Sequence, residues 1–353
     1  MSIAVNEISF NHLQSQTLAE YISTTQQPEI FPITCQLNET ALKLSQQCQV
    51  ANDLHVSTTL PELSLTSHIE LVLFSDVTFQ QLLDITQQCQ LEITAISAIN
   101  HRNSLVSFRF SVNCSNIEKS KAHLANIALT QKIEAALIKD APKLHQAGIL
   151  VMDMDSTTIE IECIDEIAAL AGVGEEVAAV TEKAMQGELD FAQSLHQRVS
   201  KLAGSSESIL AEVAKDIPLM NGLETLITEL KKYQWRIAIA SGGFTYFADH
   251  LKDLLALDAA HANVLEIIDN KLTGKVLGDV VDAQAKADCL LSLQKQYQLP
   301  FQQTVAMGDG ANDLVMMNAA HFGVAFHAKP IVLKQADCAI NFSGLDCLIH
   351  WLA

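Results

Sequence analysis

The chain has 353 residues, enough for two domains of ordinary size. It carries 41 acidic and 22 basic side chains, and the formal net charge of −19 argues against nucleic acid or anionic lipid as its main partner. The first residues have neither a charged nor an apolar segment typical of a leader, so we expect a cytoplasmic protein. The 8 cysteines lack Cys-x-x-Cys spacing, which favours reduced thiols over disulfides or a zinc site.

The N-terminal part of the chain divides into two regions. Residues 1–64 are rich in Gln and Thr with weak periodicity, and we assign them no role. Residues 65–142 predict an α+β domain of βαββαβ order, with strands over 68–75, 92–100, 105–113 and 133–139 and helices over 78–91 and 117–130. This ferredoxin-like order resembles an ACT-type regulatory domain. An amino-acid sensor fits it as well as a packing or dimerisation module, which would make the protein a homodimer.

In residues 146–353, short apolar runs alternate with helical ones, which predicts a parallel sheet of the α/β class. The predicted strands are 148–152, 236–240, 304–307, 322–326 and 337–341. About 80 residues separate the first two strands, far more than one crossover helix needs, and most of them show helical patterns. We therefore predict a helical cap over about 163–217, and a hairpin flap over 264–281.

Two acidic motifs follow strands of this predicted sheet. Asp153-Met-Asp155 ends the first strand, and Asp309 and Asp313 follow the third. Carboxyl ends of parallel strands meet at one edge, so we expect the two clusters to converge. Carboxylates about 4 Å apart repel by roughly 4 kcal/mol each at an effective dielectric near 20, so a cation or protons must accompany them. Oxygen ligands with room for water and phosphate suit Mg²⁺. Turn or capping roles would explain one aspartate but not both clusters.

Two further segments offer groups that bind anions. Ser241-Gly242 follows the second strand, and its hydroxyl and backbone N–H groups suit phosphate oxygens, although such a sequence is also ordinary in turns. Lys286 lies on the same helical stripe as apolar residues, so it either serves an anionic site or extends its amine to solvent.

Arg198 recurs with apolar residues at helical spacing in the predicted cap, so we expect it to point inward. A buried guanidinium requires a carboxylate or phosphate, which it binds in bidentate geometry. Glu162 is a candidate partner for a structural ion pair. The alternative is that Arg198 and Glu162 together bind a zwitterion.

These motifs, in this chain order, resemble the haloacid dehalogenase superfamily of phosphotransferases, and within it the phosphoserine phosphatase family, over about residues 148–345. The resemblance implies a Rossmann-like parallel sheet with an inserted helical cap. It also implies Mg²⁺-dependent hydrolysis of O-phosphoserine to serine and phosphate through an aspartyl-phosphate, the last step of serine biosynthesis.

The resemblance further implies a role for each motif residue. Asp153 would be the nucleophile, and Asp155 the general acid and then the general base. The Asp153 side chain, the Asp155 main-chain carbonyl and Asp309 would hold Mg²⁺, with Asp313 behind them. The residues expected to bind substrate are Glu162, Met185, Phe191, Arg198, Ser241, Gly242, Lys286 and Asn312.

Two other functions fit part of this pattern. One is an enzyme with the same covalent chemistry that transfers the phosphoryl group to another alcohol or hydrolyses a different small phosphate. The other is a regulator that accepts a phosphoryl group and does not turn over. The spacing of Asp153 and Asp155 favours turnover, because it places a proton donor beside the accepting carboxylate.

Overall fold

The computed structural model describes residues 6–9, 17–18, 33–37, 41–44, 49–50, 53–54, 68–74 and 76–353. The chain divides into two compact units, one made of Met1–Ala141, Asn341–Ser343 and Leu348–Ala353, the other of Pro142–Ile340 and Gly344–Cys347. Every helix among the described residues is too short or too polar to cross a bilayer. The predicted boundaries at 64, 142 and 146 and the predicted cap limits stay predictions.

The first unit contains a seven-stranded antiparallel sheet in the order β1-β3-β2-β7-β8-β6-β9 and a separate pair, β4-β5. The strands are β1 Asn6–Ser9, β2 Ile33–Leu37, β3 Ala41–Leu44, β4 Gln49–Val50, β5 Asp53–Leu54, β6 Ile69–Phe74, β7 Leu91–Arg102, β8 Leu105–Cys114 and β9 Ala135–Lys139. Helix α1 spans Phe79–Gln88 and α2 spans Ile117–Gln131. The order β6-α1-β7-β8-α2-β9 confirms the predicted ferredoxin-like arrangement.

Local sequence explains where α1 begins and which side it buries. The Thr78 hydroxyl accepts a hydrogen bond from the Gln81 N–H at 3.2 Å, and the Gln81 side chain accepts one from the Thr78 N–H at 2.9 Å. Phe79, Leu82 and Ile85, at helical spacing, are fully buried in the core of this unit. Amino-acid binding by this ACT-like domain stays a prediction.

A buried arginine ties the last residues of the chain into the first unit. Arg109 is 2% exposed, and its Nη1 donates to the Leu352 carbonyl at 2.8 Å while its Nη2 donates to Glu70 Oε2 at 2.7 Å. His350, in the C-terminal helix Leu348–Trp351, is fully buried, and its Nδ1 lies 2.8 Å from the Ser107 hydroxyl. The C-terminal helix is therefore part of the first unit.

The second unit contains a seven-stranded sheet in the order β13-β12-β11-β10-β14-β15-β16. All neighbours are parallel except β12 and β13. The strands are β10 Ile149–Met152, β11 Arg236–Phe244, β12 Ala259–Ile268, β13 Lys271–Leu277, β14 Thr304–Gly308, β15 Phe322–Phe326 and β16 Cys338–Ile340. Strands β10, β14 and β15 are buried throughout, as expected for inner strands of a parallel sheet. The predicted fold class is confirmed.

Four helices follow β10 in the stretch where the cap is predicted. They are α3 Cys163–Ala171, α4 Gly174–Met185, α5 Phe191–Lys201 and α6 Ser208–Lys215. The remaining helices are α7 Leu223–Lys232, α8 Thr245–Leu254, α9 Ala283–Gln296, α10 Leu314–Ala319 and α11 Pro330–Leu333. The predicted flap corresponds to the antiparallel pair of β12 and β13, but β12 starts earlier and first runs parallel to β11.

Candidate active site

The two acidic motifs meet at the carboxyl ends of adjacent strands. Strands β10 and β14 are parallel neighbours, and the Asp153 N–H donates to the Met307 carbonyl at 3.0 Å. Asp153 and Asp309 each follow the end of one of these strands. Carboxylate oxygens of Asp153, Asp309 and Asp313 all lie within 4.8 Å of one another. The structure thus brings the two predicted clusters to one point.

Lys286 lies between two of these carboxylates. The side chain is 1% exposed, and its Nζ is 2.7 Å from Asp153 Oδ2 and 2.7 Å from Asp313 Oδ1. Burial alone would lower the pKa of Lys286, but the two carboxylates outweigh it and raise that pKa. Lys286 therefore does not extend to solvent; it is a fixed positive charge at the acidic cluster.

Asp313 lies behind the other two carboxylates. It is fully buried, one oxygen accepts from Lys286, and the other accepts from the Gly310 N–H at 3.0 Å. Asp153 in turn accepts from the Met154 N–H at 2.7 Å through Oδ1. Asp313 is fully buried and does not line the cavity, whereas Asp153 and Asp309 do, so these two are the better placed to bind a cation directly.

Asp155 has surroundings unlike those of Asp153. Its Oδ1 accepts from the Cys163 N–H, at the start of α3, at 3.2 Å. Burial, with the nearby charges of Glu162 and Asp153, raises the pKa of Asp155 to about 7. A carboxyl group with this pKa can hold a proton or lose it near neutral pH, which general acid and base catalysis requires.

The irregular segment near the end of β11, Ser241–Gly243, presents small groups to the same cavity. Ser241 is 1% exposed, and its hydroxyl oxygen accepts from the Gly243 N–H at 2.9 Å. Phe191 covers Gly242 so closely that a Cβ there would lie 2.5 Å from the Phe191 ring. Glycine is therefore required at this position for backbone and aromatic ring to approach.

Helix α5 carries Arg198 toward the cavity. Asp190 caps this helix by accepting from the Gln193 N–H at 2.8 Å, and Leu195, one turn before Arg198, is buried. Within the described residues, the buried Arg198 Nε–H has no hydrogen-bond partner, and no ion pair joins Arg198 to Glu162. Burial lowers the pKa of Arg198, against the nearby acidic charges. These contacts disfavour the structural ion pair and leave one buried donor without a partner among the described residues.

One cavity unites most of the predicted residues. Its lining includes Asp153, Asp155, Glu162, Phe191, Arg198, Ser241, Gly242, Asp309 and Asn312. Lys286 and Asp313 lie outside the lining, and Met185, the last residue of α4, is 79% exposed and does not line it. The expected wall contact of Met185 is thus absent from this arrangement of the described chain.

The cavity also contains residues that the sequence analysis did not select. Lys329 lines it. Burial and the charge of Asp153 raise the pKa of Asp309, and the positive charge of Lys329 partly opposes this. The Thr157 hydroxyl donates to Asp309 at 3.3 Å. Lys329 follows β15, so the rule that located Asp153 and Asp309 at strand ends also points to this loop.

Comparison with known proteins agrees with this geometry. Residues 148–321 match the model of the haloacid dehalogenase-like hydrolase family. The chain is 56% identical over 241 residues to a phosphoserine phosphatase of Vibrio cholerae, covering 68% of this chain and 73% of that one. It is 59% identical over 222 residues to one of Haemophilus influenzae, covering 63% and 71%.

Solved structures give the same result. An unliganded crystal structure of a probable phosphoserine phosphatase from Vibrio cholerae matches with a TM-score of 0.68 and 46% identity, over 83% of this chain and 88% of that one. A substrate-bound phosphoserine phosphatase matches with a TM-score of 0.56 and 39% identity, over 59% and 99%. The chain therefore belongs to the haloacid dehalogenase-like hydrolase family, in the group formed by its phosphoserine phosphatases.

Proposed function

We propose that this protein is a Mg²⁺-dependent phosphoserine phosphatase, which hydrolyses O-phosphoserine to serine and phosphate as the last step of serine biosynthesis. The observation that carries the proposal is the composition of one cavity. The carboxyl groups of Asp153 and Asp155 line this cavity together with Ser241. Arg198 also lines it, and its Nε–H has no hydrogen-bond partner among the described residues. A cytoplasmic location and a homodimer stay predictions from the sequence.

The acidic cluster suits a hard divalent cation. Oxygens from three aspartates lie within 4.8 Å of one another, and Lys286 supplies one positive charge to them. Asp153 and Asp309 would bind Mg²⁺ directly, with the Asp155 main-chain carbonyl, and Asp313 would support them from behind. When bound, Mg²⁺ would neutralise charge on the phosphoryl oxygens and hold them in line with the attacking carboxylate.

The chemistry proceeds in two displacements at phosphorus. An Asp153 oxygen attacks, the bond from phosphorus to the seryl oxygen breaks, and protonated Asp155 gives its proton to that oxygen. Deprotonated Asp155 then takes a proton from water, which attacks the aspartyl-phosphate and releases phosphate and free Asp153. The pKa of about 7 for Asp155 supports both halves of this cycle.

Substrate selection falls to the opposite side of the cavity. The Arg198 guanidinium would bind the carboxylate of O-phosphoserine and Glu162 its ammonium group, with Phe191 packing beside them. Among the described residues, Glu162 accepts a hydrogen bond from Ser156 at 2.9 Å but forms no ion pair with Arg198, whose Nε–H is unpaired. This supports the assignment, since both charges then remain available to a zwitterion.

A phosphate-release screen tests the proposal. The panel is O-phosphoserine, O-phosphothreonine, glycerol phosphate and p-nitrophenyl phosphate, each with and without Mg²⁺. We expect O-phosphoserine with Mg²⁺ to give the highest kcat/KM. A better turnover of another small phosphate would refute the assigned substrate. Product analysis with serine and homoserine as acceptors separates hydrolysis from transfer. A burst of one alcohol product per chain, with the phosphoryl group retained on the protein and no further turnover, would indicate the regulator.

A further inference from the structure

We propose that Asn263 is a positioning residue. It holds the two anion-binding elements of the site, the irregular Ser241–Gly243 segment of β11 and the start of α9 with Lys286, in fixed relation to each other. This inference rests on the proposed function. Asn263 lies in β12, is 2% exposed and does not line the cavity. It therefore acts through other residues and does not touch the substrate.

The first contact of the Asn263 side chain lies where the pairing of β11 and β12 is interrupted. Along β11 and β12, Ala240 pairs with His261, but the next pair is Phe244 with Asn263. Three residues of β11, Ser241–Gly243, thus face a single residue of β12 and have no paired partner in that strand. The Asn263 Nδ2 donates to the carbonyl oxygen of Gly242 at 2.8 Å and, more weakly, to that of Gly243 at 3.3 Å.

This contact orients the Ser241 hydroxyl. The carbonyl of Gly242 and the N–H of Gly243 belong to one planar peptide group, so holding the oxygen fixes the direction of the N–H. That N–H donates to the Ser241 hydroxyl oxygen at 2.9 Å. With this lone pair occupied, the hydroxyl proton is directed elsewhere, and Ser241 lines the cavity.

The second connection reaches Lys286. The Asn263 Oδ1 accepts from the Val281 N–H at 2.8 Å. The next residue, Asp282, caps α9 by accepting from the Ala285 N–H at 2.9 Å, and its carbonyl accepts from the Lys286 N–H at 3.1 Å. Asn263 therefore holds the residue next to the helix cap, and the cap fixes the first turn of α9, which carries Lys286.

Only an amide can make both connections. Two carbonyl oxygens surround the nitrogen of Asn263 and one N–H meets its oxygen, so both ends of the side chain are used and its orientation is unambiguous. Asn263→Asp is nearly isosteric and keeps an acceptor for the Val281 N–H, but it has no donor for the two glycine carbonyls. Asn263→Ala removes both connections.

Steady-state kinetics of the full chain with Mg²⁺ tests the role. We expect Asn263→Asp to lower kcat/KM by about ten- to a hundredfold, to the same extent with O-phosphoserine and p-nitrophenyl phosphate, because the two share only the phosphoryl group. The inhibition constant of inorganic phosphate should rise in parallel. Asn263→Ala should lose at least as much. Loss with O-phosphoserine alone, or unchanged phosphate affinity, would overturn the proposal.

A double-mutant cycle distinguishes positioning from a merely structural effect. If Asn263 acts through Ser241, then Ser241→Ala should cost much less in the Asn263→Asp background than in the wild type, whereas strictly additive losses contradict that route. Thr304→Val is the matched control, since Thr304 is equally buried and its hydroxyl bonds the Phe301 carbonyl and the His321 N–H. It should lower Tm and leave kcat/KM unchanged.

The outcomes also separate this inference from the proposed function. A wild-type enzyme that hydrolyses p-nitrophenyl phosphate but not O-phosphoserine would refute the assigned substrate, and the comparison of Asn263 variants on the aryl ester would still decide the role of Asn263. An active wild-type phosphoserine phosphatase whose Asn263→Asp variant shows a lowered Tm and full kcat/KM would refute the positioning role alone.

Discussion

Replacing Arg198 by alanine should separate recognition of the amino acid from the chemistry at phosphorus. The buried Arg198 Nε–H has no partner among the described residues, and we assign it to the substrate carboxylate. A hydrogen bond to a charged group contributes about 1.5–3 kcal/mol, so loss of a bidentate pair should lower kcat/KM for O-phosphoserine at least about a hundredfold. Turnover of p-nitrophenyl phosphate, which has no carboxylate at that place, should change little.

The assay compares both substrates on the same enzyme preparations, with Arg198→Lys as the matched variant. Lysine keeps the positive charge but not the planar pair of donors, so it should recover part of the lost activity toward O-phosphoserine. Equal losses on the two substrates would refute the carboxylate assignment, because they would show that Arg198 acts on a step common to both.

Three further predictions follow from the same contacts. Asp153→Asn should abolish multiple turnover on every phosphomonoester while leaving Tm close to that of the wild type; residual turnover would exclude Asp153 as the nucleophile. Chelation of divalent cations should stop phosphate release and added Mg²⁺ should restore it; full activity in chelator would contradict the metal assignment. Burial and the Arg102 charge lower the pKa of His350 to about 4, so only the unfolded chain takes up this proton between about pH 6.5 and 4. As the pH decreases from 6.5 to 4, the free energy of unfolding should therefore decrease by up to about 3 kcal/mol more in the wild type than in His350→Gln. The same dependence on pH in both proteins, measured by urea unfolding, would contradict this.

Much of the catalytic unit follows from sequence patterns because parallel sheets obey strict rules. Apolar runs located β10 and β14, and residues that follow parallel strands meet at one edge, so Asp153 and Asp309 could be paired across more than 150 positions. The inward direction of Arg198 followed from its place on an apolar helical stripe. These inferences need only local periodicity and one rule of topology.

Other features depend on contacts that no local pattern encodes. The C-terminal helix joins the first unit because Arg109 binds carbonyls about 240 positions away. Asn263 resembles any polar residue in a strand, and its role arises from a register shift between β11 and β12. The first half of β12 is made of small residues with little strand preference, so only its pairing with β11 reveals it.

The charge balance of the site explains why metal, lysine and a protonated carboxyl group should act together. Around the cavity, five carboxylates face three cations: Asp153, Asp155, Glu162, Asp309 and Asp313 against Arg198, Lys286 and Lys329. A phosphate dianion entering this excess of negative charge is repelled in a medium that screens poorly. In the proposed mechanism a bound divalent cation would offset the dianion, and a proton on Asp155 would remove one further charge at the step where the leaving oxygen is protonated. We therefore expect positive charge at this edge of the sheet to control the binding of substrate as well as its reaction.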